Sequence, residues 1–331
     1  MRSNCCRRSA ILVILLLGMT AAISCASDPD IKEGAKADEI VAKIRAEWDK
    51  NRQRIRSIEC SGKRESTHLK GAYTRDLAAM KIKDPPICPD KDLVYSDEPF
   101  RWTIDFEQSR IRRDIEFTEP FFTQGSTSVP FKKKRDVDIV ANGEYRCFHP
   151  VSIDSPAKGS DWSVRICPKV LRFMSFDALP LLWLAGGVSA SVPGPDTLNV
   201  YADTSKWNVK GSAQLNGKDC YVVAMPEQQT GGTMVREFWI LAQKPYPVVS
   251  CLVRSQRGIP WKLDATYSQR DGELTLSTVK YVEYQYPSSK VAFEWMSKFE
   301  EFYINRTIDD HIFEKTLEPG MSVTFQGKKE K

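Results

Sequence analysis

The sequence is poor in residues that carry metal, redox or acid–base chemistry in a recognisable pattern. Only three histidines occur, His68, His149 and His311, far apart along the chain and without HExxH spacing. Each reads as an ordinary core or surface residue. No CxxC is present, which excludes a zinc knuckle and a thioredoxin-like redox motif. A GxSxG elbow, a P-loop, a GxGxxG fingerprint and a kinase signature are all missing. The neighbouring carboxylates Asp309 and Asp310, and Asp105 with Glu107, have nothing near them in sequence that would drive their pKa values apart, so they read as solvated charge. The expectation is a non-enzymatic protein with no cofactor.

Long hydrophobic runs are scarce too. The longest near the N-terminus, Ala10 to Leu17, has eight residues, where a membrane-spanning helix needs about 20. Nor is there a surplus of one charge. The 331 residues carry 48 Lys+Arg against 43 Asp+Glu. Three of those cations, Arg2, Arg7 and Arg8, lie in the first 25 residues, and without them the balance is 45 against 43. A chain so close to neutral has no electrostatic footprint for nucleic acid. With 41% hydrophobic and 27% charged residues, it is instead built to fold around a core. No internal repeat or low-complexity tract interrupts it.

The N-terminus reads as an export signal, residues 1–25, with a cationic start and a short apolar stretch. Two processing sites compete. Ser24-Cys25-Ala26 fits cleavage after Ala26, whereas Ala22-Ile23-Ser24-Cys25 resembles a lipobox that would leave Cys25 as a diacylated N-terminus in contact with a membrane. A polar tether, 26–36, precedes a single domain over 37–325 and a polar tail at 326–331. Six cysteines lie beyond the leader, an even number that suits disulfides in an exported protein. Cys88 and Cys167 share the context Ile-Cys-Pro and are the candidate loop-to-loop bridge.

The domain opens with an amphipathic helix predicted at 37–56, its apolar face carrying Ile40, Val41, Ile44, Trp48 and Ile55. Strands follow. Residues 101–107 place Trp102, Ile104 and Phe106 on one face, and 110–117 place Ile111, Ile115 and Phe117 on one face. A two-residue loop would set Phe106 against Ile111 and Trp102 against Ile115. Asn142-Gly143, Asn216-Gly217 and Asp271-Gly272 mark tight hairpins, the last setting Tyr267 against Leu276 and Trp261 against Val282. A long final strand, 291–304, alternates through Val291, Phe293, Trp295, Phe299 and Tyr303. One apolar helical insert, 173–187, interrupts the strands, with Phe173, Phe176, Leu179, Leu182 and Trp183 at three- and four-residue spacing. Two polar insertions lie near 69–99 and 151–169. The basic run Lys132 to Arg135 reads as a solvated edge. The fold class is α+β: a curved antiparallel half-barrel with an N-terminal helix and a short apolar helical lid.

Cys220 and Cys251 are expected to remain thiols. The hairpins place Cys220 opposite Trp239 and Cys251 opposite Glu237, on one face but two strands apart, which is about 9–10 Å between Cα atoms and beyond a disulfide's reach.

Two local patterns carry a family resemblance. Leu215-Asn-Gly-Lys-Asp-Cys-Tyr-Val-Val223 is followed by Phe238-Trp-Ile240 and Lys244-Pro-Tyr-Pro-Val248. The closing stretch has Ile304-Asn305, Ile308-Asp-Asp310, Phe313 and Leu317-Glu-Pro-Gly320. Together with the first helix these resemble the LolA/LolB superfamily of periplasmic lipoprotein carriers and lipid-binding lipoproteins, at the level of pattern over residues 37–325. The resemblance implies a half-barrel holding an acyl chain, lipid or lipoprotein anchor in the periplasm or at the outer membrane of a bacterium. The expected lining is the insert (Phe173, Phe176, Leu179, Leu182, Trp183) and the sheet aromatics Trp102, Phe106, Trp239, Trp261 and Trp295. The competing expectation is an envelope protein-interaction or structural module whose interior is filled by its own side chains and whose insertions meet a protein partner.

Overall fold

The computed structural model describes residues 35–70, 92–120, 131–142, 144–150, 162–167, 178–186, 207–229, 232–255, 258–285 and 290–325. Helix α1 spans Ala35–Arg54 and buries Ile40, Ile44 and Trp48 along one stripe. Fourteen strands follow: β1 (Ser57–His68), β2 (Leu93–Asp105), β3 (Arg110–Pro120), β4 (Phe131–Ala141), β5 (Glu144–Pro150) and β6 (Trp162–Cys167), then β7 (Asn208–Leu215), β8 (Lys218–Gln229), β9 (Gly232–Leu241), β10 (Val248–Ser255), β11 (Gly258–Arg270), β12 (Glu273–Gln285), β13 (Lys290–Ile304) and β14 (Ser322–Phe325). Helix α2 (Ala178–Leu184) lies between β6 and β7 in sequence.

All fourteen strands belong to one curved, unclosed sheet in the order β14-β6-β5-β4-β3-β2-β1-β13-β12-β11-β10-β9-β8-β7. Every neighbouring pair is antiparallel except β14 with β6, which is parallel. The hairpins form where the sequence supplies residues that tolerate positive φ. Asn142, Asn216 and Asp271 sit at +52°, +51° and +52°, as type I′ turns require. The main core unites both helices with the inner face of the sheet, from Ile104 and Ile111 to Val223 and Phe238.

Registers depart from simple alternation at bulges, and each bulge has a consequence. On β12 the pairing steps past Ser277, so Tyr267 meets Leu276 but Trp261 meets Glu283 rather than Val282. On β13 it steps past Glu300 opposite Gly62. Phe302 therefore turns inward and is buried, while Tyr303 is exposed. A Cβ at Gly62 would lie 2.0 Å from the Lys298 carbonyl oxygen and 2.9 Å from Phe100, so the bulge needs glycine there.

The β2–β3 hairpin is also corrected. Asp105 pairs with Arg110 and Ile104 with Ile111, which leaves Phe106 in a four-residue turn, half-buried against the core. Asp105 closes that turn by accepting from the Gln108 N–H (3.0 Å) and from Arg110 Nη2 (2.6 Å).

The outward face of β4–β6 is not wet. Val137, Ile139, Phe148, Val164 and Ile166 pack there with Phe313 of a 3-10 turn, Asp310–Phe313. Arg110 holds this segment through Asp310 (2.8 Å) and stands 4.3 Å over the Phe313 ring. Arg112 donates to the Ile312 carbonyl (2.7 Å). Strands β6 and β14, and β2 from Leu93, occupy stretches that read from sequence as polar insertions or a closing turn.

Helix α2 begins at Ala178, so Pro180 falls in the first turn, where its missing N–H costs nothing. All seven of its residues are buried. The chain leaves it at Gly186, φ +83°, where a Cβ would stand 2.2 Å from the Trp48 carbonyl oxygen of α1. Gly186→Ala is expected to cost about 2 kcal/mol through strained backbone and a displaced helix contact, measured by urea unfolding, with a loss of near-ultraviolet circular dichroism from Trp48 and Trp183.

Cys220 and Cys251 lie on opposite faces, which corrects the expected register. Cys220 pairs with Leu241 and points outward. A bulge at Val249 shifts β10 by one residue, so Cys251 pairs with Phe238 and joins the inner core. No disulfide joins the two. Cys167 is buried at the end of β6, and its candidate partner Cys88 lies outside the described residues.

Candidate functional site on the inner face

Strand register assembles the site row by row. Leu263, Tyr281, Trp295, Ser66 and Tyr95 stand side by side across β11, β12, β13, β1 and β2. The next row along the strands is Trp261, Glu283, Phe293, His68 and Leu93. The two rows form a belt of rings. Tyr281 stacks on Trp295 at 5.5 Å, Trp261 lies 6.4 Å from Tyr281, and His68 lies 4.7 Å from Phe293 and 5.7 Å from Tyr95. Tyr281 and Trp295 are buried, whereas Trp261 and Phe293 are only half-buried. Arg236 of β9 reaches over Trp261 at 5.7 Å.

A buried charge pair borders this belt. Arg64 Nε donates to Glu98 Oε2 at 3.1 Å, and the two side chains are 9% and 2% exposed. Glu98 also accepts from Ser66 Oγ (3.0 Å) and from the Thr118 N–H (2.6 Å). Three donors make it a fully satisfied buried carboxylate. The Arg64 guanidinium lies 5.6 Å from the Phe117 ring and 5.8 Å from that of Trp295. His68 donates from Nε2 to the Thr118 carbonyl at 3.1 Å, which fixes its neutral tautomer. Burial lowers its pKa to about 4.

A second charged row crosses β2 to β5 as Trp102, Arg113, Asp138 and Cys147. Arg113 Nε donates to Asp138 at 2.7 Å and Tyr145 donates its hydroxyl to the same carboxylate at 2.7 Å. Cys147 Sγ and His149 Nδ1 are 3.5 Å apart. That pairing runs against reading all three histidines as solitary. The cue was available, since residues two apart on a strand share a face. It is not an activated nucleophile, because burial, with Asp138 second, pushes the Cys147 thiol well above its ordinary range. Among the described residues, no group of three or more His, Cys, Asp or Glu side chains is placed to hold a metal ion.

The expected lining residues divide. Leu179, Leu182 and Trp183 lie in the main core with Trp102 and Trp295, and α2 packs over β10 and β12. Trp261 and Phe106 pack against the edge of that core. Trp239 is a correction: it pairs with Val222 and Ser250 on the outward face, and its neighbour Phe238 takes the inner position, 6.2 Å edge-on to Trp183. Phe173, Phe176 and Cys25 lie outside the described residues. The residues that sequence reasoning missed, Arg64, Ser66, His68 and Glu98, are polar groups facing inward, where an apolar stripe was the signal sought.

Among the described residues the class defined so far is an open, almost wholly antiparallel sheet wrapped around two helices, with an aromatic and ion-paired inner face. No protein-family profile and no curated protein matches the sequence. Among solved structures, the chain is similar to a DUF1329 family protein from Desulfovibrio piger ATCC 29098, with a TM-score of 0.41 and 11% identity over 84% of this chain and 97% of that one. It is also similar to LprF from Mycobacterium bovis, with a TM-score of 0.29 and 8% identity over 82% of this chain and 97% of that one. No helix among the described residues is long and apolar enough to cross a membrane.

Proposed function

We propose that this protein is an exported, non-enzymatic binding protein of the cell envelope that holds an acyl-chain amphiphile, a lipid or a lipoprotein anchor against the inner face of the sheet. The observation that carries the proposal is the belt in which half-buried Trp261 and Phe293 stand beside buried Tyr281 and Trp295, next to the Arg64–Glu98 pair. An amphiphile needs an apolar wall for its chain and a fixed polar group near one end, and this belt supplies both within two rows of residues. The export leader and the LolA/LolB-like sequence pattern support the same reading, and acylation at Cys25 would place the protein at a membrane surface.

The packing of α2 favours a second reading. A helix with all seven residues buried fills the interior beneath it, as expected for a protein-interaction module of the envelope. Titration of the purified mature chain with a fluorescent fatty acid separates the two. Under the proposal the inner belt takes up one equivalent, and Trp261→Ala/Phe293→Ala weakens that equivalent at least about tenfold, the loss of roughly 1.4 kcal/mol of ring contact. Absence of binding, or binding indifferent to both substitutions, transfers the argument to the interaction module.

A further inference from the structure

The outward face of the sheet carries a cleft of about 710 Å3 that shares no residue with the inner belt. Lys262, Asp264 and Thr266 line it and alternate along β11 with the inward Leu263, and the core residue Ala265 borders it as well. Its apolar floor comes from Leu241, Val249 and Val282 on β9, β10 and β12. Val249 is the bulged residue of β10, so the same irregularity that turns Cys251 into the core shapes this floor.

Charge is distributed unevenly along the cleft. In the middle, Lys262 pairs with Asp264 at 2.7 Å and Lys280 with Glu294 at 2.9 Å. At one end stand Lys218, at the start of β8, and Lys244, in the β9–β10 turn, where the described lining residues include no acid. The Lys244 side chain is 70% exposed and stands 4.0 Å from Glu47 of α1. The cleft thus has an apolar floor, an ion-paired middle and an end carrying two lysines, of which Lys244 has its acid, Glu47, at 4.0 Å and outside the lining. From Leu241 on β9 to Glu294 on β13 it crosses four strand spacings, about 19 Å, the length of an extended acyl chain of about fifteen carbons.

We propose that this cleft is a second binding site, separate from the inner face, for a single-chain amphiphile with a compact anionic head. The carboxylate lies at Lys218 and Lys244, and the chain runs across Leu241, Val249 and Val282. The two lysines discriminate by charge sign, and because they are exposed the discrimination weakens as salt rises.

The test uses [1-13C]laurate titrated into the full mature chain carrying Trp261→Ala/Phe293→Ala, so that the inner belt does not contribute. Binding of one equivalent with a shifted carboxyl resonance is expected. Adding Lys218→Glu and Lys244→Glu, both at exposed positions, should weaken it at least about tenfold, and dodecyltrimethylammonium should not compete. Unchanged affinity in the lysine variant, effective competition by the cationic amphiphile, or no laurate binding in the belt-disabled chain would each overturn the proposal. None of those results bears on binding at the inner belt in the unsubstituted protein.

Discussion

Glu98→Ala is expected to cost about 3–5 kcal/mol, because it strands a guanidinium that has left water. Arg64 is held between the Phe117 and Trp295 rings with its side chain 9% exposed, so it cannot reach solvent without disturbing both. Ser66 and the Thr118 N–H would lose an acceptor at the same time. Denaturant unfolding reads the cost directly. The double variant Arg64→Met/Glu98→Leu removes both charges and should recover the part of the stability lost to the stranded guanidinium, while the unpaired Ser66 hydroxyl and Thr118 N–H keep it below wild type. If Glu98→Ala alone lost less than about 1 kcal/mol, the pair would have to be solvated, contrary to its burial. Under the proposed function the double variant should fold and yet bind amphiphile less well, which separates the pair's proposed part in binding from its part in the fold.

The second large effect is acid sensitivity centred on His68. Its folded-state pKa is lowered to about 4 by burial, against about 6.5 in the unfolded chain. The unfolded state therefore takes up the proton first as the solution is acidified. Stability supplied by the neutral ring is intact above about pH 6.5, falls as the pH drops through that window, and is gone below about pH 4. The gap of roughly 2.5 pKa units corresponds to about 3 kcal/mol. His68→Gln has no such titration. The stability difference between wild type and this variant, measured by urea unfolding at pH 7 and at pH 4, should shift by about 3 kcal/mol against the wild type. A pH-independent difference would mean that the ring is protonated in place or reached by solvent.

Strand β1, on which both effects rest, was hidden in the sequence for a physical reason. Beyond Ile58 and Cys60 its inner face carries Gly62, Arg64, Ser66 and His68, and its outer face carries Glu59, Lys63 and Glu65, so polar residues occupy both sides and the apolar alternation stops after two residues. Arg64 and Ser66 can face inward because Glu98, 34 and 32 positions away on β2, satisfies them across the sheet. The hairpin turns were legible because Asn-Gly and Asp-Gly have few other uses. Register was legible only as far as the nearest bulge. Val249, Ser277 and Glu300 each insert a residue that no periodicity announces, and each moves an aromatic or sulfur residue relative to the expected pairing: Cys251, Trp261 and Tyr303. The tryptophans were found by composition, but their faces depended on those insertions, which is why Trp239 falls outside the belt and Trp261 within it.

Native mass spectrometry of the protein isolated from the cells that make it, without detergent or organic solvent, bears most directly on the proposal that an acyl chain rests on the inner belt. The wild type should carry one more bound lipid or acylated molecule per chain than Trp261→Ala/Phe293→Ala, which should lose the one at the inner belt while remaining folded. A wild-type chain that is wholly unliganded, or an adduct retained in full by the variant, would contradict the assignment.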